Sequence, residues 1–435
     1  MSDCNVLEIA RRLYPYAYSV VSSENDRAVE AYRRELDFDV LEVPSGAEHN
    51  GWRVPNDWKV VRADIHKDGT KIWDGLRSPL GVGVLSPSYN GSIRLEELRK
   101  HLYFSEACPN ATPYHWTNLY RLDQKEWAFS VTKAFYDGLL EGEYLVQLET
   151  VERPSTMKVL DFKLAGASEA TLLLNAHNCH PWQANDDISG CAVGIAVMKA
   201  LQSRPARRFT YRLVIAPELI GTVHWLYQLN PVREHFAGAI MLKSVGSDGP
   251  LKLQHSFSST SQLDRAAFNV LNRRVEGLVS GPFRTIYGND ETVFDSPGYE
   301  IPSISLTRFP FPQYHTDADT PERLSAAKLE ETRDVVLEMI DALEASERLA
   351  FAARGLVSLS HPRYRLYRPA PAPGIDREEY LDVSRRWNLL MNCLPRELNG
   401  VNSGIDLACK YDLPVGEVCD YLRKWKEKGL AISAV

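Results

Sequence analysis

The 435-residue chain is 44% hydrophobic and 25% charged, the balance of a soluble globular protein too long for one ordinary core, so two or three domains are expected. A formal net charge of -7 argues against electrostatic capture of nucleic acid or anionic membrane as the main task, and no apolar run approaches the roughly 20 residues that span a bilayer. The start, Met1-Ser-Asp-Cys-Asn5, lacks the basic and apolar regions of a signal peptide, and seven scattered cysteines without a CxxC pair read as reduced thiols, which favours the cytosol.

Apolar spacing predicts helices over Val6–Leu13 and Ala28–Leu36. From Pro44-Ser-Gly46 to about Phe135 the texture changes. Trp52, Trp58, Trp73, Trp116 and Trp127 fall among short β-rich runs such as Trp58–Ile65, an inserted β-rich module over 46–135 whose Trp52, Trp58 and Trp127 read as core. Strands are then predicted over Glu143–Leu148, Met157–Phe162, Thr171–Ala176, Tyr211–Ala216, Gly238–Leu242 and Pro302–Leu306. Helices are predicted over Ile188–Leu201, Leu219–Leu229, Ser261–Leu271 and Leu324–Leu343. Such alternation indicates an α/β fold with a mostly parallel sheet sandwiched by helices, built from residues 1–45 and 136–355. Leu356–Gly374, with four prolines, reads as a linker or wrapping segment. Residues 375–435 read as three short helices and a weak strand, a winged helix-turn-helix pattern.

The chemistry concentrates after the run Thr171–Ala176. His177 and His180, then Asp186 and Asp187, fall within eleven residues, and His315 follows the last predicted strand in Tyr314-His-Thr-Asp-Ala-Asp319-Thr320. Imidazole and carboxylate are zinc donors, and two such segments at strand ends are what a metal site on an α/β sheet requires. A single histidine of this kind is ordinarily structural, as His224 and His235 read here. A chance meeting of His177, Asp186 and His315 at strand ends would need three coincidences. Cys179 reads as a packed small residue.

His177-x-Cys, Ala184-Asn-Asp186-Asp-Ile-Ser-Gly190 and Tyr314-His315-Thr-x-x-Asp319-Thr320 resemble the metal motifs of metallopeptidase family 28, the zinc aminopeptidases and their relatives. The chain is more similar still to a subgroup of aminopeptidase-like domain proteins of unknown function. These share a Pro-Ser-Gly start, a His-x-Cys-His-Pro loop, a Pro-Glu loop, an Asp-Glu pair and a C-terminal winged helix. The resemblance implies that His177, Asp186 and His315 are metal ligands and that Glu218 is a fourth ligand or the general base. It leaves His180 either as a ligand in place of His177 or as a pocket residue stabilising an oxyanion.

Two departures from the pattern matter. Pro217-Glu218 stands where the family has adjacent glutamates, so if Glu218 ligates, the base falls to Asp290 or Glu291, which could equally hold a substrate ammonium. Lys243 stands where the family has an aspartate ligand, and its charge would repel a second cation. One zinc ion is therefore expected.

The implied activity is a cytoplasmic zinc-dependent hydrolase of the aminopeptidase type. It would cleave an amide or peptide bond next to a free amine in a small molecule or short peptide, with a polysaccharide or secondary-metabolite pathway and a homo-oligomer as further expectations. Glutaminyl-cyclase-like acyl transfer at one zinc, and a degenerate scaffold that works through its winged helix, are the alternatives. With ten acids against nine bases over 376–435, that winged helix is not expected to read nucleic acid.

Overall fold

The computed structural model describes residues 5–229, 235–368 and 378–434. Cys4, the latter part of the proline-bearing stretch and the first residues of the 375–435 segment lie outside them. Helix α1 (Val6–Leu13) forms where its apolar spacing predicts it. Asn5 caps it by accepting the Glu8 N–H at 3.3 Å, and Val6, Ile9, Ala10 and Leu13 make the buried face. Helix α2 (Glu24–Arg33) begins ahead of its expected start, with Glu24 and Asp26 at the positive end of its dipole.

In chain order there follow strands β1 (Asp39–Pro44), β2 (Asp57–Lys67), β3 (Thr70–Asp74), β4 (Tyr89–Arg94), β5 (Glu143–Arg153), β6 (Thr156–Leu164) and β7 (Thr171–His177). Helix α3 (Ser189–Gln202), β8 (Thr210–Ala216), helix α4 (Ile220–Leu229), β9 (Phe236–Lys243) and β10 (Ser303–Thr307) come next. Six strands of the eight-stranded main sheet run in the order β1-β6-β8-β7-β9-β10. Strands β8, β7, β9 and β10 pair in parallel, and β1 and β6 add an antiparallel margin, so the sheet is mixed.

Strand β7 is buried at every position, as a strand covered on both faces must be. On one face Leu173, Val214, Ala216, Ala239 and Met241 cluster with Trp225 and Leu226 of α4. On the other, Leu213 and Leu242 approach Gly194 of α3 so closely that an added Cβ would lie 2.8 Å from Leu213 Cδ1. Small residues in α3 thus let it settle directly on the sheet.

The strand expected over Glu143–Leu148 belongs elsewhere. Within β5 it pairs with β2 and β4 in a four-stranded antiparallel sheet of order β3-β2-β5-β4. The start of β5 alternates exposed and buried residues, the signature of a sheet with a single packed face. Ala63, Ile65, Tyr144, Val146 and Leu148 form that face against Trp127 and Phe129. The β-rich stretch therefore extends past residue 135. One compact unit comprises Met1–Lys252 and Tyr287–Arg333, and a second comprises Leu253–Ile286 and Asp334–Val435.

The second unit contains the helix Gln262–Arg274, which the sequence places among the crossovers of the main sheet. Gln262 Nε2 and Arg265 reach Asp406 at 2.8 and 2.6 Å, and Asn269 Nδ2 donates to the Leu413 carbonyl at 3.0 Å. Those partners lie in the C-terminal segment, which its spacing alone could not announce. That segment holds helices Glu378–Glu397, Gly404–Lys410 and Val415–Glu427. Strands Asn399–Ser403 and Ala431–Ser433 flank Arg348–Phe351 in a three-stranded antiparallel sheet. No helix among the described residues is long and apolar enough to cross a membrane.

Candidate metal centre

The parallel strands β7, β8, β9 and β10 all release their chains at the same sheet edge, the edge where α/β sheets place ligands. His177 is the last residue of β7, Glu218 follows the end of β8, Lys243 ends β9, and the loop after β10 carries His315. Asp186 and Asp187 lie in the irregular turn Ala184–Ile188 that leads into α3, and the peptide between them is cis. Predicted residues separated by more than a hundred positions therefore meet in one cluster.

Asp186, fully buried, stands at its centre with its two oxygens facing opposite ways. Oδ1 lies 3.2 Å from His177 Nε2 and 3.1 Å from Lys243 Nζ. Oδ2 lies 2.9 Å from His315 Nε2 and 3.4 Å from His180 Nδ1. Glu218 repeats the division, with Oε1 3.4 Å from Lys243 Nζ and Oε2 3.5 Å from His180 Nε2. Lys243 Nζ is also 2.5 Å from His177 Nε2. An ammonium has no lone pair, so at that distance the imidazole nitrogen must be the acceptor.

Burial alone would favour the neutral forms of these groups. For Asp186 it is outweighed by Lys243 and His180, which hold the carboxyl well below the usual range. Glu218 is likewise lowered against its burial, chiefly by Lys243. Lys243 is held protonated against its own burial by Asp186 and Glu218.

The surrounding backbone is pinned by carboxylates. Asp187 Oδ1 accepts N–H groups of Gly190 and Ser244 at 3.1 and 3.0 Å, and its Oδ2 accepts that of His177 at 3.4 Å. Asp319 accepts N–H groups of Asn185 and Asp186 at 2.8 and 3.1 Å. Trp182, Leu219, Ser244 and His315 all hold left-handed φ values, of 49°, 61°, 51° and 53°. Each such conformation costs roughly 1 to 3 kcal/mol in a non-glycine residue, and here the four stand within two positions of a cluster residue or are one.

Aromatic rings close the cluster. Tyr314 stacks on His315 with centroids 3.9 Å apart, and its hydroxyl bonds that of Tyr287 at 2.6 Å. Tyr114 packs beside His180 and His315, while its N–H donates to the His315 carbonyl at 2.7 Å. The motif around His315 pointed to Tyr314 and Asp319, but nothing marked Tyr114, more than sixty residues upstream in the β-rich stretch.

Asp290 and Glu291 are buried beside the cluster but are engaged with their surroundings. Asp290 Oδ1 accepts the Leu219 N–H at 2.7 Å and the Thr222 hydroxyl at 2.5 Å. Glu291 Oε1 accepts the Asn289 N–H at 2.9 Å. Among the described residues the donor groups close enough to share an ion are His180, Asp186 and His315, and His177, Cys179, His180 and Glu218; Asp290 and Glu291 enter neither.

The first of those groups fits a cation on its own evidence. His180 Nδ1, Asp186 Oδ2 and His315 Nε2 are buried and face one another at 3.4 and 2.9 Å without forming a hydrogen bond. Unmet lone pairs converging in a dry site are costly unless a cation satisfies them. Two imidazoles and a carboxylate are donors of the kinds that zinc sites use.

A family model described as "Domain of unknown function (DUF4910)" matches residues 7–346. A Clostridium acetobutylicum protein named "Putative polysaccharide biosynthesis protein with aminopeptidase-like domain" is 26% identical over 342 residues, covering 78% of this chain and 77% of that protein. A crystal structure of a "putative peptidase" from Clostridium acetobutylicum superposes with a TM-score of 0.81 at 22% identity, over 98% of this chain and 96% of that one. BSAP, a zinc aminopeptidase from Bacillus subtilis, superposes with a TM-score of 0.58 at 14% identity, over 77% of this chain and 93% of its own. At these identities the two structural likenesses concern the fold alone.

Proposed function

The chain belongs to the DUF4910 family, whose description assigns no reaction, and we propose that it is a zinc-dependent hydrolase of the aminopeptidase type working with one zinc ion. The observation that carries this reading is the convergence of buried donor atoms on His180, Asp186 and His315, close enough to share one ion. Those three residues would hold the ion. In this reading His177, expected among the ligands and standing in the second donor group, pairs with Lys243.

Zinc bound there supplies the Lewis acidity that amide cleavage needs. Glu218 then serves as the general base. It is ionised near neutral pH because Lys243 outweighs its burial, and its side chain keeps 16% exposure while Asp186 has none. An acid that must take a proton from water needs both properties. Asp290 and Glu291 pass from candidate bases to supports, since Asp290 anchors the backbone directly after Glu218. The expected substrate is a small molecule or short peptide with a free amine next to the scissile amide.

The C-terminal segment 375–435 is taken as a winged-helix-like unit with a packing role. Salt-sensitive duplex binding by the full chain would overturn that role.

Zinc per chain, measured on tag-free protein, tests the site, and a panel of peptides with free or acetylated amino termini tests the reaction. The expectation is about one equivalent of zinc and release of amino acid from free termini only. A His315→Ala protein with full zinc and full turnover would sink the assignment, as would equal cleavage of acetylated peptides for the aminopeptidase class.

A further inference from the structure

The geometry points to Lys243 as a built-in second cation: its ammonium stands where the free faces of His177, Asp186 and Glu218 would otherwise hold a metal ion. This rests on the single-zinc reading above and goes beyond it by giving Lys243 and His177 a function.

Asp186 is a carboxylate with two occupied sides. Oδ2 faces the imidazoles of His180 and His315, while Oδ1 faces His177 and Lys243. Glu218 divides its oxygens between His180 and Lys243 in the same sense. The Lys243 ammonium thus sits among one imidazole nitrogen and two carboxylate oxygens, at 2.5, 3.1 and 3.4 Å. That donor set is one a divalent metal would accept.

The residue is only 1% exposed, and its charge also lies over the Tyr287 ring, 5.0 Å from the centroid. A buried ammonium persists only when paired, and this one is paired by atoms that would otherwise be metal ligands. Its role is positional. It fixes Oδ1 of Asp186 and Oε1 of Glu218, so that Oδ2 and Oε2 remain turned toward His180. It also engages His177 Nε2, which keeps that imidazole off the zinc.

Removing the ammonium should therefore open a second metal site rather than merely damage the first. The experiment compares zinc per chain for the wild type, Lys243→Asp and Lys243→Ala, each equilibrated with zinc and analysed by elemental content. Circular dichroism on each protein monitors the fold. The expected result is about one equivalent for the wild type and about two for Lys243→Asp, with His177→Ala in the Lys243→Asp background returning to about one. Lys243→Ala, which leaves the three natural donors, should take up the second ion more weakly. It carries the test if the aspartate variant fails to fold.

One equivalent in all three proteins would overturn the inference while leaving the single-zinc reading intact. Two equivalents in the wild type would also overturn it. No zinc in the wild type but one gained in Lys243→Asp would support it and remove the resident-zinc reading. No zinc in any would overturn both.

Discussion

Asp319 holds Asp186 by the backbone rather than by the side chain. Its carboxylate accepts the Asp186 N–H at 3.1 Å and the neighbouring Asn185 N–H at 2.8 Å, which leaves both Asp186 oxygens turned to the cluster. Asp319→Ala would strand two buried N–H groups at about 1 to 3 kcal/mol each. Zinc affinity should also fall about 10- to 100-fold, the usual cost of losing a support behind a ligand. Burial pushes the Asp319 carboxyl well above its ordinary pKa, so an amide in its place gives up little charge. Asp319→Asn keeps one acceptor oxygen but sets its NH2 against the other backbone N–H, so it should lie between Asp319→Ala and the wild type in both zinc competition and urea unfolding.

Gly190 opens a tight approach at the start of α3. An added Cβ would lie 2.4 Å from the Leu242 carbonyl oxygen and 2.5 Å from Asp187 Oδ2. Neither neighbour can retreat, since one is backbone of the central sheet and the other pins three N–H groups. Gly190→Ala should cost about 3 kcal/mol or more, at or above the usual range for overpacking, and lower zinc content with it. Denaturant midpoints and elemental analysis of the same preparation would check both effects.

Zinc should stabilise the folded chain by mass action. At a free concentration one hundred times its Kd the gain is about 2.7 kcal/mol, read as a rise in the unfolding midpoint that a chelator reverses. His315→Ala and His180→Ala should lose most of that rise, whereas His177→Ala should keep it. An equal loss in His177→Ala would return that residue to the ligand set.

Acid sensitivity should appear in the second unit at Asp264. Burial would raise its pKa, but His255, Ser256 and Ser261 outweigh it and hold the carboxyl low. Its Oδ2 accepts from the Ser256 and Ser261 hydroxyls, both at 2.6 Å. A folded pKa below the unfolded one means that the folded state binds fewer protons. Its stabilisation is present above the ordinary carboxylate range near pH 4 and is lost as pH falls through the lower folded value. The gap in urea midpoint between wild type and Asp264→Asn should therefore be largest near neutrality and shrink on acidification.

Much of the cluster is legible in the sequence because strand ends can be read from apolar runs, and β7, β8, β9 and β10 each deliver a residue just past such a run. Opposite faces of one carboxylate cannot be read that way. Lys243 reads in the sequence as a charge that would repel a second ion, but its 2.5 Å approach to His177 cannot be read there. The choice between His177 and His180 depends on side-chain directions a few ångströms apart. β5 was placed in the wrong sheet for a different reason, since a short alternating run looks alike whichever sheet it joins. The helix Gln262–Arg274 has the pattern of a sheet crossover, and only its bonds to Asp406 and Leu413 show where it packs.

The spread of the donors along the chain governs when the centre can exist. His180 and Asp186 are synthesised well before His315, whose loop takes its place only after β10 has paired in parallel with β9. Until then the cluster lacks its third donor, and such long-range parallel pairing is among the slower events of folding. On the proposed zinc reading, uptake of the ion would mark the pairing of β10 with β9. A nascent or truncated chain that stops before residue 315 would carry Asp186 and His180 but lack the third donor of the proposed ion site.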